Sequence, residues 1–129
     1  EFIKNIIIPL PSNEEFHYAW KLSKRYDQDI STISMAANLK LIKNKLISCK
    51  ISFGGIAEKP IRSIKIENYF LKNYPTIYIK EIDDLIKSNF KTLSDLRGSS
   101  FYRKQASIGL IQRLLIKLSS PKIETEVFI

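Results

Sequence analysis

The spacing of the apolar residues changes once along this 129-residue chain, and that change most constrains its fold. Up to about residue 66, apolar side chains recur at every second position, as in half-buried β-strands. From residue 67 they recur three and four positions apart, as on one face of an amphipathic helix. Strands followed by helices, rather than alternating with them, indicate an α+β domain.

The first half of the chain predicts an antiparallel sheet of about four strands. Alternate apolar residues mark three long strands: Phe16, Tyr18, Trp20 and Leu22; Ile33, Met35, Ala37, Leu39 and Leu41; and Ile47, Cys49, Ile51 and Phe53. Lys43-Asn44-Lys45 predicts a hairpin turn between the second and third of these, because asparagine tolerates positive φ. Gly54-Gly55 indicates a bulge or a close approach of backbones at the end of the third strand. A shorter strand is expected from Pro60 to Ile66.

The second half predicts a cluster of about three helices packed against the sheet. A short helix is expected from Glu67 to Lys72, and a longer one within Thr76 to Phe90. Ser99 is a candidate N-cap for the last helix, which is expected to end near Pro121. Its predicted buried stripe comprises Phe101, Ile108, Ile111, Leu115 and Leu118. A single domain over residues 1–129 would then have strands mainly in 1–66, helices mainly in 67–119 and a tail in 120–129.

The side chains needed for most catalytic and metal sites are scarce in this sequence. His17 is the only histidine and Cys49 the only cysteine, so the chain alone can assemble neither a Ser-His-Asp triad nor a cluster of metal ligands. The alternation places Cys49 among apolar neighbours, which favours a small buried side chain over a reactive thiol. Glycine-rich phosphate loops of the GxGxxG or GxxxxGK[ST] type are absent. We therefore expect no catalytic and no metal-ligating residue.

The net charge of +8 leaves open a small basic module that binds nucleic acid. Against this alternative, the lysines are scattered rather than gathered into one stripe interleaved with aromatic residues. The sequence contains no apolar run near the roughly 18 residues that span a bilayer. With a lone cysteine, these features favour a cytoplasmic protein that binds neither nucleic acid nor membrane. The β-rich opening, Glu1 to Pro9, indicates a piece of a longer polypeptide.

Three motifs in a fixed order resemble one enzyme family. The first is K-x3-R-x3-D-I, formed by Lys21, Arg25, Asp29 and Ile30, and the second is the run Phe53-Gly54-Gly55-Ile56-Ala57. The third is Ser94-Asp95-Leu96-Arg97-Gly98-Ser99, followed by Tyr102-Arg103. Over essentially its whole length the chain thus resembles the C-terminal subdomain of the FAD domain of xanthine dehydrogenases and of the flavoprotein subunits of carbon monoxide dehydrogenase-like molybdenum hydroxylases.

The resemblance implies a function as part of an electron-transfer enzyme. In that family, electrons pass from a molybdenum centre through iron–sulfur clusters to FAD, and then to NAD or another acceptor. The chain would close one side of the flavin pocket, and an N-terminal FAD-binding subdomain would hold the rest of the cofactor. Molybdopterin and 2Fe-2S clusters would lie in other domains or subunits, so the chain alone would be inactive.

Five residues form the cofactor-binding site that the resemblance implies. Lys21 corresponds to the family lysine beside the flavin, where its ammonium would stabilise negative charge on the reduced ring. Ile3 would line the site and Ile30 would approach the ring, while Arg25 and Asp29 would pair to fix the loop between the first two long strands. The alternatives are a surface lysine, two ordinary core residues and two surface charges.

The last motif is interpreted as structural. Gly98 would allow a sharp entry to the final helix, and Ser99 would cap it. Arg97 and Arg103 are therefore left outside the predicted site.

Overall fold

A computed structural model describes residues 2–25 and 30–123. Four antiparallel strands form one sheet in chain order: β1 (Glu15–Leu22), β2 (Ile33–Ile42), β3 (Lys45–Gly54) and β4 (Ile61–Arg62). Three helices follow: α1 (Ile64–Asn73), α2 (Ile79–Asn89) and α3 (Ser100–Ser119). The predicted α+β fold, with the sheet in the first half and the helices in the second, is confirmed. Within the described ranges, no helix is both long and apolar enough to cross a bilayer.

One face of the sheet packs against the helices and forms the core. Fully buried side chains come from both layers: Ile33, Met35, Leu39, Ile51 and Phe53 from the sheet, and Ile66, Phe70, Ile82, Ile86, Ile111 and Leu114 from the helices. Helix α1 lies on β3, α3 lies on β2, and α2 packs against α3. Each such burial contributes about 1.5–3 kcal/mol to the stability of the fold.

The hairpin between β2 and β3 has the predicted turn. Lys43 and Asn44 have φ values of 49° and 62°, the left-handed conformation that a two-residue hairpin turn requires. The third predicted strand is correct except at its beginning. Leu46 is buried, whereas Ile47, which was predicted to face the core, is 48% exposed. Lys40 pairs with Ser48 but Leu41 pairs with Leu46, so Ile47 is the extra residue of a bulge that reverses the alternation.

The fourth strand is shorter than predicted and the first helix is longer. Strand β4 pairs only through Ile61 and Arg62, and α1 begins at Ile64 rather than at Glu67. The buried Glu67 carboxylate explains the difference, since its Oε1 accepts the Ile51 backbone amide at 2.9 Å. It also pairs with Arg62, whose Nη2 lies 2.7 Å from Oε2. Glu67 thus occupies a ladder position on β3 that a longer β4 would have used.

The buried stripe of α3 also differs from the prediction. Phe101 is 74% exposed, whereas Arg103 is only 2% exposed. Residues two positions apart point about 200° apart around a helix, so burying Arg103 turns Phe101 to solvent. Ile108 and Ile111 are buried as predicted. Ser99 caps the helix by accepting the Tyr102 amide at 3.1 Å, as expected.

Residues 2–12 form no strand, although their composition predicted a β-rich run. Their large apolar side chains are 78–94% exposed: Phe2, Ile3, Ile6, Ile7, Ile8 and Leu10. A strand requires a neighbour for its hydrogen bonds. This segment does not pair with β1, although β1 is an edge of the sheet.

Candidate functional site

Lys21 lies on the face of the sheet that the helices do not cover. It is exposed, while Trp20 and Leu22 on either side of it point toward the core. The side chains beside it on this outer face are small, because the two rows nearest the end of the sheet are Lys21–Ser34–Gly54 and Ala19–Ala36–Ser52. A cavity of about 340 Å³ opens on the same face, lined in part by His17, Ala36 and Ser52 but not by Lys21.

The other four predicted site residues do not all lie near Lys21. Ile30 is 52% exposed and lies three residues before β2, whose first residue, Ile33, pairs with Leu22 at the end of β1. Arg25 follows that end of β1 and is also exposed. Ile3, with 81% of its side chain exposed, belongs to the segment outside the sheet and helices. Asp29 lies outside the described residues, so its pairing with Arg25 stays a prediction. The strand ends therefore place Lys21 and Ile30 at one end of the sheet, but the fold does not give Ile3 a position there.

Beneath this end of the sheet, the guanidinium of Arg103 is fully buried and joins several chain segments. Its Nη1 donates to the carbonyl oxygens of Thr32 and Gly55. Its Nε donates to the Gly98 carbonyl at 3.3 Å, and its Nη2 lies 2.6 Å from the Asp95 carboxylate. Arg103 was left out of the site on sequence grounds, yet it connects the start of β2, the end of β3 and the turn before α3.

Asp95 organises the turn that carries these contacts. Its Oδ1 accepts the Arg97 amide at 2.8 Å and the Gly98 amide at 3.2 Å. The Arg97 amide, and then the Arg103 guanidinium, lower the pKa of the Asp95 carboxyl below its usual value, although partial desolvation opposes them. Asp95 is therefore ionised at neutral pH and balances the buried charge of Arg103.

Thr32 is the residue on which all three sequence motifs converge. It is 3% exposed, its amide donates to the Leu22 carbonyl at 2.8 Å, and its hydroxyl donates to the Arg97 carbonyl at 3.3 Å. Gly55 has a φ of +76°, and a Cβ there would lie 2.6 Å from the Thr32 carbonyl oxygen. A Cβ on Gly98 would lie 2.8 Å from Thr32 Cγ2. The predicted close approach at the glycine pair is confirmed. A second close approach, between Gly98 and the Thr32 side chain, also requires glycine.

A lysine from the other side of the loop between β1 and β2 reaches the same turn. The Lys24 ammonium donates to the Leu96 carbonyl at 2.6 Å. The turn at Asp95 to Gly98 is thus bonded both to the residues that follow β1 and to those that precede β2. Sequence spacing alone could not show this, because the partners lie 65 to 72 residues apart.

Cys49 is buried on β3, as the alternation predicted. Burial, and secondarily the nearby Glu67 carboxylate, raises the pKa of the Cys49 thiol to about 12. We therefore expect iodoacetamide to label the folded protein at pH 8 at least about 100-fold more slowly than the unfolded protein, since only the thiolate reacts. Mass spectrometry in buffer and in urea would measure both rates, and equal rates would contradict the burial.

Comparisons with known proteins cover most of the described fold. Residues 18–118 match the family described as the CO dehydrogenase flavoprotein C-terminal domain. The glyceraldehyde dehydrogenase medium chain of Sulfolobus acidocaldarius is 30% identical over 99 residues, which are 76% of this chain and 35% of the relative. The chain therefore spans about a third of the length of that relative.

Solved structures of low sequence identity share the fold. Quinoline 2-oxidoreductase from Pseudomonas putida aligns with a TM-score of 0.69 at 18% identity, over 91% of this chain and 40% of that one. Reconstituted CO dehydrogenase from Oligotropha carboxidovorans aligns with a TM-score of 0.67 at 21% identity, over 82% and 37% of the two chains. The family match includes all of β2 and β3, all of α1 and α2, and α3 as far as Leu118. This chain belongs to the CO dehydrogenase flavoprotein C-terminal domain family.

Proposed function

We propose that this chain is the C-terminal part of the FAD-binding portion of a molybdenum hydroxylase and that it closes one side of the flavin pocket. Family membership supports the flavoprotein assignment, because the match includes the motif that begins at Lys21. The observation that carries the pocket proposal is the position of Lys21, exposed on the outer face of the sheet among small side chains. A ligand can therefore approach its ammonium without displacing the core.

The residues at this end of the sheet fit the ring of FAD rather than its pyrophosphate. Lys21 offers a cation, Ile30 offers an exposed apolar surface, and the small residues of the outer face leave room for a flat group. Pyrophosphate is usually held by a glycine-rich turn at a helix N-terminus, and the sequence contains no such motif. We infer that another part of the enzyme, an N-terminal FAD-binding subdomain, holds the phosphates. When bound, FAD supplies the two-electron redox chemistry.

Lys21 is the residue with a chemical role in this proposal. Its ammonium lies where it favours the anionic, reduced state of the ring over the neutral, oxidised state. Ile30 would exclude water from the ring, and Ile3 would do the same where the rest of the enzyme covers its segment. Exclusion of water strengthens the attraction between the Lys21 ammonium and the reduced ring. Arg25 and Asp29 would fix the loop between β1 and β2. The chain contributes position, charge and exclusion of water.

The rest of the electron path lies outside this chain. We propose a parent enzyme of the xanthine dehydrogenase type in the cytoplasm, with molybdopterin and 2Fe-2S clusters in other domains or subunits. NAD is the proposed acceptor, and the chain alone has no activity.

The Lys21→Ala substitution tests the proposed pocket in the complete FAD-bound flavoprotein. We expect it to weaken the preference for reduced over oxidised flavin about tenfold, which lowers the two-electron midpoint potential by about 30 mV. Spectroelectrochemical titration of the flavin absorbance measures that potential directly.

Lys45→Ala is the matched control, because Lys45 is an exposed lysine at the opposite, hairpin end of the sheet, where it pairs with Ile42. Its potential should equal that of the unaltered protein. An unchanged potential in Lys21→Ala, or an equal shift in both variants, would contradict the proposed role of Lys21.

A further inference from the structure

We propose that Arg103 is a positioning residue for the flavin pocket: through Thr32 it fixes the end of β1 that carries Lys21. The inference rests on the proposed function, since it assigns Arg103 a role only if Lys21 faces the flavin. Arg103 itself is 2% exposed beneath the sheet and does not reach the outer face. Its influence must therefore pass through the backbone that it holds.

The connection from Arg103 to Lys21 consists of two hydrogen bonds and one peptide unit. The guanidinium donates to the Thr32 carbonyl, and the Thr32 amide donates to the Leu22 carbonyl at 2.8 Å. Leu22 is bonded covalently to Lys21, and both belong to β1. Displacing Thr32 therefore shifts the last residues of β1, including the lysine proposed to contact the ring.

The same turn restrains the residues that follow Lys21. The Lys24 ammonium binds the Leu96 carbonyl, and the Thr32 hydroxyl binds the Arg97 carbonyl. Asp95 holds that turn closed and pairs with Arg103. Lys24 and Thr32 are thus both tied to one turn, and the buried guanidinium joins this turn to the start of β2 and the end of β3.

Arginine is suited to this position by its geometry. The planar guanidinium presents five N–H donors in a fixed fork, and here it reaches three carbonyls and one carboxylate from separate segments. A lysine at the same place would keep the charge but offer one nitrogen, which cannot meet four acceptors. Asp95 is half-exposed, so solvent partly screens its attraction to the guanidinium. Arg103 therefore fixes the relative placement of these segments.

The test compares Arg103→Lys with Lys21→Ala, and with the double variant, in the complete FAD-bound flavoprotein. Arg103→Lys, like Lys21→Ala, should lower the flavin midpoint potential. The expected decrease is about 15–30 mV, which corresponds to a three- to tenfold smaller equilibrium constant for reduction. In the Lys21→Ala background it should cause no further shift, because the residue that it positions is missing. Such non-additivity is expected only if the two residues act together.

Ile111→Val is the matched control for a general loss of stability. Ile111 is fully buried on the same helix, and its truncation costs about 0.5–1.5 kcal/mol without touching the hydrogen bonds of Arg103. It should leave the potential unchanged. If Arg103→Lys does not accumulate as FAD-bound protein, Asp95→Asn decides by the same criteria, because it removes the charge of a half-exposed partner while keeping an acceptor oxygen.

The possible outcomes separate the two proposals. If Lys21→Ala shifts the potential and Arg103→Lys does not, the positioning role is wrong and the flavin-facing role of Lys21 stands. If Arg103→Lys shifts the potential equally with and without Lys21, Arg103 acts independently and the inference is overturned. If Lys21→Ala has no effect, the proposed pocket fails and the inference fails with it.

Discussion

Replacing Arg103 by methionine is expected to lower the free energy of unfolding of the 129-residue chain by about 3 kcal/mol, because buried acceptors lose their donor. Methionine fills much of the volume but donates no hydrogen bond. The carbonyl oxygens of Thr32 and Gly55 would then lose a buried charged donor, and the Asp95 carboxylate would lose its partner. Urea denaturation followed by the fluorescence of Trp20, the only tryptophan and itself buried, measures the loss.

Arg113→Met provides the control for this substitution. Arg113 lies on the same helix but is only partly buried. Its replacement should change the free energy of unfolding by no more than about 0.5 kcal/mol, as is usual for surface positions. Similar losses for the two arginines would show that the contacts of Arg103 contribute no special stability.

Gly55→Ala is expected to destabilise the chain by about 3 kcal/mol, for two reasons that add. The residue has a φ of +76°, which an L side chain rarely adopts, and the new Cβ would lie 2.6 Å from the Thr32 carbonyl oxygen. The same Cβ would lie 3.3 Å from Arg103 Nη1, so relief of one contact disturbs the other. Thermal or urea unfolding of the purified chain would show the change.

Gly109→Ala is the matched glycine control and should have the opposite sign. Gly109 lies inside α3, is exposed, and a Cβ there would meet nothing within 4 Å. Alanine should stabilise the helix by about 0.5–1 kcal/mol. If Gly55→Ala proved as harmless as Gly109→Ala, the close approach to Thr32 would not constrain the fold.

Much of the fold is determined by patterns that lie within a few residues. Alternation placed the buried and exposed faces of β1 and β2 correctly, and so predicted that Lys21 faces away from the core. The positive φ at Asn44 followed from its side chain. These features depend on neighbours in sequence, which is why the sequence alone was sufficient to predict them.

The errors arise where a distant segment decides the local structure. The bulge at Ile47 depends on the register with β2, and the short β4 depends on Glu67 taking the Ile51 amide. Arg103 looks like a surface residue in the helical pattern, yet its carbonyl partners at Thr32 and Gly55 lie 71 and 48 residues away. The same limit applies to Ile3, whose expected place in the site depends on contacts that the fold of this chain does not supply.

The exposed apolar segment before β1 is expected to promote self-association at high concentration. Each large apolar side chain left in water there forgoes about 1.5–3 kcal/mol of burial free energy, and six of them lie between Phe2 and Leu10. None belongs to the sheet or to a helix, so they contribute to self-association but not to folding. We therefore expect these six residues to affect the solubility of the chain much more than its thermodynamic stability. A polypeptide that begins at Ser12 should be more soluble and equally stable.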